Sequence, residues 1–419
     1  MATRVEADLL IPGAGEPMAN GCVVFDGPTI SYSGPIEGAP AAGSADTTVS
    51  VPVVMPGLWD THTHFAGIRS FTMEEQVYTS DWVAIVRAAR DAEKALRAGF
   101  TSVRELGGFG VYLGRAVDDG SIVGPHIYAS GTMLSPTGGH GDAHAFPLEF
   151  VQFWKNRQEI PGPCDGVPEC LAAVRKVLRL GVSVVKICAS GGVLSDRDSP
   201  VHQQFSDEEL RAIVEEAARA DRIVAAHCHG KAGIMAALKA GAKSIEHGSQ
   251  LDEECADLML QKGAILVPTF WIGSRMVAIG KDSGIPEFML EKGRKLDDQH
   301  REAMSLAVRK KVPIALGTDT IGSSEAATTY WGGNGHELPL MVEKAGMTPL
   351  QAIEAATANG PRTLGPRAPL SGQLRAGYAA DLIAVKENPL KRIAVLAEPD
   401  NILRVWKGGQ LAVERSIAH

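Results

Sequence analysis

The run Val51-Pro52-Val53-Val54-Met55-Pro56-Gly57-Leu58-Trp59 leads directly into Asp60-Thr61-His62-Thr63-His64. An apolar run of this kind predicts a buried strand. Side chains at i and i+2 of a strand share a face, so His62 and His64 can offer two imidazole nitrogens to one ion. His-x-His on its own also occurs at solvated strand ends. Its weight comes from Lys186, His227, His247 and Asp319 further on, each closing another apolar, strand-like run. A metal site at strand ends is the working reading.

Outward from that stretch, a unit recurs in which an amphipathic helix stops at a glycine and a β run follows at once. It appears at Leu96 to Gly99, Leu178 to Gly181, Leu238 to Gly241 and Leu260 to Gly263. The glycine supplies a left-handed helix cap, and strands so rich in Val, Ile and Leu are expected to be covered on both faces. Runs ending near Thr61, Leu106, Gly131, Cys188, His229, His247, Thr269 and Asp319 give the strand count of an α/β fold of the (β/α)8 TIM-barrel type, whose chemistry sits at the C-terminal strand ends. Long connections, Thr132 to Gly166, Ser190 to Gln204, Trp271 to Ile285 and Thr320 to Gly335, are expected to be loops carrying substrate specificity.

Short β runs punctuated by Gly and Pro fill the first part of the chain, and similar runs, Gly377 to Val385 and Ile402 to Gly409, lie near the other end. Chain termini commonly lie close together. The expected organisation is therefore a barrel over residues 55–365 and a small β-sandwich domain formed by both chain ends, 1–54 and 366–419.

A chain of 419 residues suits a large barrel plus an appended domain. The formal net charge of -8, without a long basic run, argues against nucleic acid or an anionic membrane as partner and for a small-molecule substrate. The N-terminal stretch lacks a signal-type apolar segment, and no later stretch approaches a membrane span. Six cysteines, Cys22, Cys164, Cys170, Cys188, Cys228 and Cys255, occur without a CxxC pair, as expected for free thiols in a reducing compartment. A cytoplasmic location and a homo-oligomeric assembly are the expectations.

The candidate ligands differ in chemistry. Neutral imidazoles such as His227 and His247 suit zinc and related ions. His229 shares a strand face with His227, and spacing leaves the choice between them open. Lys186 would ordinarily snorkel to water, and as a cation it would repel a metal. It becomes an oxygen ligand only if its neutral amine captures carbon dioxide as a carbamate stabilised by two divalent ions. Asp319 is either a helix N-cap or, beside a metal-bound water, the group that orients the water and accepts its proton.

Met55-Pro56-Gly57-Leu58-Trp59-Asp60-Thr61-His62-Thr63-His64, Val185-Lys186, His227, Ile245-Glu246-His247-Gly248 and Gly317-Thr318-Asp319 together resemble the amidohydrolase superfamily of metal-dependent hydrolases. Lys186 to Val193 with Gln203-Gln204-Phe205-Ser206 is similar to the branch containing Xaa-Pro and Xaa-Arg dipeptidases and ochratoxinase; imidazolonepropionase is more distant. The resemblance implies His62, His64 and Asp319 on one divalent ion, zinc by default, and His227 and His247 on the other. It implies carbamylated Lys186 and a hydroxide between them, and it selects His227 over His229 as ligand. It also implies a substrate-facing role for His140, in Thr137-Gly138-Gly139-His140-Gly141-Asp142.

Two departures stand out. Glu105 occupies a position where relatives often have Asp, which reads as a structural acid. A substrate-contacting tyrosine of some peptidase relatives is missing from the loop Val193 to His202; either Arg197 and His202 replace it or the substrate lacks the carboxylate such a group would read, and His229 is a further candidate substrate contact.

The leading reading is a binuclear amidohydrolase cleaving an amide or related C–N bond of a small molecule, such as an N-acyl amino acid, a dipeptide or a xenobiotic amide, carbamate or urea. Asp319 acts as general base and acid. A mononuclear cyclic amidohydrolase or deaminase is the enzymatic alternative, and a non-catalytic barrel scaffold the alternative of another class.

Overall fold

The computed structural model describes residues 1–70, 75–158, 160–280 and 284–415. The strands are β1 (Thr3–Leu10), β2 (Met18–Asp26), β3 (Thr29–Pro35), β4 (Thr47–Pro56), β5 (Leu58–Ile68), β6 (Phe100–Glu105), β7 (His126–Ala129) and β8 (Met133–Leu134). They continue as β9 (Val185–Cys188), β10 (Val224–Cys228), β11 (Ser244–His247), β12 (Ile265–Val267), β13 (Thr320–Gly322), β14 (Leu382–Val385), β15 (Ile402–Lys407) and β16 (Gln410–Glu414).

The middle of the chain is α/β with parallel sheets. One runs β13-β5-β6-β7 and the other β12-β11-β10-β9-β8. Backbone bonds connect their neighbourhoods, from Ser183 to the Ala129 carbonyl at 2.8 Å, from Ala315 to that of Leu266 at 2.9 Å and from Thr61 to that of Leu316 at 2.8 Å. Helices alternate with the strands. In Asp81–Arg97 the apolar stripe Ala84, Ala88, Ala92, Ala95 is buried, the spacing that turns one helical face inward. Gly241 and Gly263 end their helices at φ 106° and 61°, in the left-handed region where a Cβ is strained, as the repeating unit predicts.

Both chain ends do enter a common β structure, but as one sheet of order β16-β15-β14-β4-β1-β2-β3 rather than the two packed sheets of a sandwich. Twist accounts for the difference. The ring centroids of Phe25 on β2 and Trp406 on β15, strands separated by three others in that order, stand 6.4 Å apart, so the sheet curls over its own small core. Along β14, Leu382 and Ala384 enter that core while Ile383 and Val385 enter the main one.

Three local expectations are corrected. β5 does not stop at the histidines; it runs on to Ile68 and pairs with β13, which falls within the connection expected to be a loop from Thr320. The stretch from Trp271 is largely helix, Phe270–Ile279, because the distant Glu337 carboxylate accepts the Phe270 and Trp271 N–H groups at 2.8 and 2.7 Å. The connection from Thr132 contains β8 and the helix Leu148–Arg157. Among the described residues, no helix is long and apolar enough to cross a membrane.

Candidate metal centre and its cavity

β5 carries the first group of ligand-type side chains. His62 Nε2 and His64 Nε2 both face Asp319 Oδ1, at 3.6 and 3.1 Å. The opposite nitrogen of each ring is committed: His62 Nδ1 donates to Glu246 Oε2 at 2.9 Å, and His64 Nδ1 to the Gly107 carbonyl at 2.8 Å. Those partners only accept, so each neutral ring presents an Nε2 lone pair to the group. Burial, then Lys186, pushes His62 down to about 4. Burial opposes ionisation of Asp319, but His62, His64 and Lys186 outweigh it and hold the carboxyl below its usual range.

The second group lies on β10 and β11 and just beyond β10. His227, His229 and His247 each bring one ring nitrogen within 4.8 Å of the others. His227 Nε2 donates to the Gly191 carbonyl at 3.1 Å, His229 Nδ1 contacts Ser249 Oγ at 2.8 Å, and His247 Nδ1 contacts Thr269 Oγ1 at 2.6 Å. Burial lowers the pKa of all three rings and favours the neutral form a metal requires. His229 thus stands in the group beside His227. His247 and Asp319 have φ 68° and 55°, left-handed backbone that is costly outside glycine and that aims their side chains into the centre.

Lys186 on β9 is buried, and its Nζ has no hydrogen-bond partner. Burial lowers its pKa. An ammonium without a partner in such a place is costly, so the surroundings favour an uncharged amine. Each of the two donor groups fits a metal ion in the chemistry of its side chains.

His140 reaches the site from the loop after β8. Its ring stacks on His227 with centroids 4.3 Å apart, and its Nδ1 lies 2.8 Å from Ser195 Oγ. Ser195 donates its own proton to Asp198 Oδ1 at 2.5 Å, so His140 Nδ1 is the donor of that pair. Lys292 ties the same loop down, donating to the carbonyls of Gly192, Ser195 and Asp198 at 3.1, 2.6 and 2.7 Å. The centre opens into a cavity of about 340 Å³ walled by apolar side chains including Phe109, Phe146, Trp154, Leu194, Met276 and Phe288, and His140 and His229 line it.

Arg197 and His202 lie apart from the cavity lining. Both are exposed and neither lines the cavity; Arg197 leans toward Asp196 at 3.8 Å. Residues pointing outward from the short loop between Gly191 and Gln204 cannot be told by spacing from those pointing in. Glu105 faces a glycine turn. A Cβ on Gly108 or Gly110 would meet its carboxylate oxygens at 2.6 and 2.7 Å, and burial raises its pKa to about 7.

Several supporting residues escaped the sequence reading. Arg104 and Glu246 are buried charges inside apolar strands, which was the available signal. Asp60 accepts from the His62 and Thr318 N–H groups at 3.2 and 3.1 Å, and from Thr318 Oγ1 and Asn334 Nδ2 at 2.6 and 2.7 Å, fastening β5 to the segment that carries Asp319. Ser195, Asp198 and Lys292 left no signal.

Parallel strands that bring His and Asp side chains together in two groups define the metal-dependent hydrolase class, and residues 53–412 match the model of the Amidohydrolase family. The chain belongs to that family and is a hydrolase acting on carbon–nitrogen bonds. It is 45% identical to ochratoxinase from Aspergillus niger, covering 98% of this chain and 86% of that protein. The crystal structure of A. niger ochratoxinase aligns at a TM-score of 0.90 with 44% identity, covering 100% and 96% of the two chains. A Xaa-Pro dipeptidase crystallised with methionine in its active site aligns at 0.86 with 33% identity, covering 98% and 99%. Imidazolonepropionase from Rhodococcus jostii is 23% identical over 95% of this chain and 89% of that protein.

Proposed function

We propose that this chain is a binuclear metal-dependent amidohydrolase that cleaves an amide bond in a small, largely apolar molecule. The observation that carries the reading is the buried, partnerless Lys186 Nζ accompanied by two separate ligand groups. Two groups favour two ions over the single ion of a cyclic amidohydrolase or deaminase. The backbone bonds around segment 313–319 support a closed (β/α)8 barrel as the frame.

His62, His64 and Asp319 would hold one ion, and His227 and His247 the other, with Lys186 as a carbamate between them. Bound there, the ions would supply a polarised carbonyl and a water acidified toward neutrality. Asp319 takes the proton of the attacking water and returns it to the leaving nitrogen as the C–N bond breaks. Glu246 and Gly107 hold the two β5 imidazoles in the required tautomer. His140, fixed by Ser195, orients the substrate, and the apolar walls exclude bulk water.

The test is a mass-spectrometric screen of the metal-loaded protein against N-acyl amino acids, dipeptides, carbamates, aryl ureas and an ochratoxin, with Asp319→Asn in parallel. Turnover by the parent protein, reduced about a hundredfold or more in the variant, is the expected result. Equal rates would remove Asp319 from the reaction, and silence with two ions bound per chain would move the substrate outside the panel.

A further inference from the structure

Two chains of hydrogen bonds end on His140, one at its ring and one at its backbone, and both start at Asp198. The Asp198 side chain is 5% exposed. Its Oδ1 accepts from Ser195 Oγ at 2.5 Å, and Ser195 Oγ in turn accepts from His140 Nδ1 at 2.8 Å. Its Oδ2 accepts from Gln204 Nε2 at 3.2 Å, and Gln204 Oε1 accepts from the His140 N–H at 3.0 Å. The Gly192 N–H and Lys292 Nζ complete the carboxylate at 3.0 and 3.3 Å. His140 Nε2 has no hydrogen-bond partner among the described residues, and the residue lines the cavity.

Chemistry fixes the direction of the first chain. Four donors surround the two oxygens of Asp198, so the carboxylate only accepts and Ser195 gives it its single proton. Ser195 Oγ then offers His140 a lone pair, which places a proton on Nδ1. A neutral imidazole with its proton there keeps its own lone pair on Nε2. Holding the loop together needs only the bonds from Gly192, Ser195 and Lys292. Both chains instead leave the loop and finish on a residue 55 positions before Ser195.

We propose that Asp198 is a positioning residue for the reaction: through Ser195 it keeps the His140 proton on Nδ1, and through Gln204 it fixes the backbone that carries the ring. Nε2 therefore meets the bound molecule as a hydrogen-bond acceptor and does not donate to its carbonyl oxygen. The use of this arrangement rests on the hydrolase reading above; the place of the proton does not.

The test is nuclear magnetic resonance of zinc-loaded protein carrying isotope-labelled histidine, in which the two ring nitrogens show which of them bears the proton. His140→Phe identifies the His140 signals by their loss. The parent protein is expected to carry the proton on Nδ1. In Asp198→Asn the Ser195 hydroxyl is free to turn its proton toward His140, and in Ser195→Ala the bridge is gone. Both variants are expected to carry the proton on Nε2, the tautomer a free imidazole favours. With a substrate found in the screen, kcat should fall about tenfold in Ser195→Ala, the scale of one hydrogen bond, while zinc content and melting temperature stay at those of the parent protein. A proton on Nε2 or on both nitrogens in the parent protein overturns the assignment, as does a proton that stays on Nδ1 in either folded variant. A moved proton with unchanged kcat overturns the part in the reaction. The spectra do not depend on turnover, so silence of the parent protein across the substrate panel counts against the proposed hydrolysis alone.

Discussion

Arg104 and Glu246 form a fully buried ion pair, Nη2 standing 2.8 and 2.9 Å from the two carboxylate oxygens, and Glu246 passes the contact on to His62 Nδ1 at 2.9 Å. Arg104 is completed by the Thr61 carbonyl at 2.6 Å and Ser244 Oγ at 3.1 Å. The pair therefore fixes the tautomer of His62 from inside the strand layer, and the Arg104 contact holds Glu246 down to about 2 against burial.

Glu246→Gln is expected to leave Arg104 as an uncompensated buried charge. Stability falls by about 3–5 kcal/mol, read from urea unfolding. Because an amide replaces the carboxylate that charges and orients the His62 bond, affinity for an ion on the β5 side also falls about 10–100-fold, read by metal titration. Native-like affinity in a folded variant would show that His62 is held by other means.

Lys186→Ala is expected to lose bound metal and turnover together. Added acetate or propionate can occupy the space vacated by the side chain and offer the same kind of oxygen ligands, so partial restoration is expected. Full metal content in the variant without added acid would remove the carbamate from the account.

Gly192→Ala adds one methyl group where a Cβ would sit 2.1 Å from His140 ring atoms. The ring must move off Ser195 and off its stack on His227. Turnover should fall by about a hundredfold, the cost of roughly an ångström of misplacement, with melting temperature and metal content close to those of the parent protein. An unchanged rate would mean that the position of His140 does not matter to the reaction.

Glu337 gives a pH dependence of stability. Burial raises it to about 8, outweighing the Phe270 and Trp271 N–H groups that favour its charged form. A carboxyl whose pKa is higher in the folded than in the unfolded chain contributes stability that is full below about 4.5 and is lost as pH rises through about 8. Between pH 5 and 8 the metal-free parent protein should therefore lose stability relative to Glu337→Gln. Parallel pH curves for the two proteins would place the ionisation of Glu337 outside this window.

The sequence by itself determined the alternation of helix, glycine and apolar strand, and with it parallel sheets bearing His62, His64, Lys186, His227, His247 and Asp319 near strand ends. These are local signals: periods of 2 and 3.6, caps, and polar groups closing apolar runs. Tertiary structure alone decided what depends on distant partners. Glu337 caps a helix 67 residues before it, which spacing reads as a loop. Arg104 and Glu246 are 142 positions apart and become a pair only where their strands meet inside the protein. Curling of the terminal strands likewise makes one sheet of what alternation alone allows as two. Whether a side chain of a connecting segment faces the cavity, as Lys155 on the helix Leu148–Arg157 does and Arg197 does not, is set by how each segment docks. The physical reason is the same throughout. Desolvation and charge pairing act across space, so a charged residue has no fixed meaning in the sequence until packing supplies its neighbours.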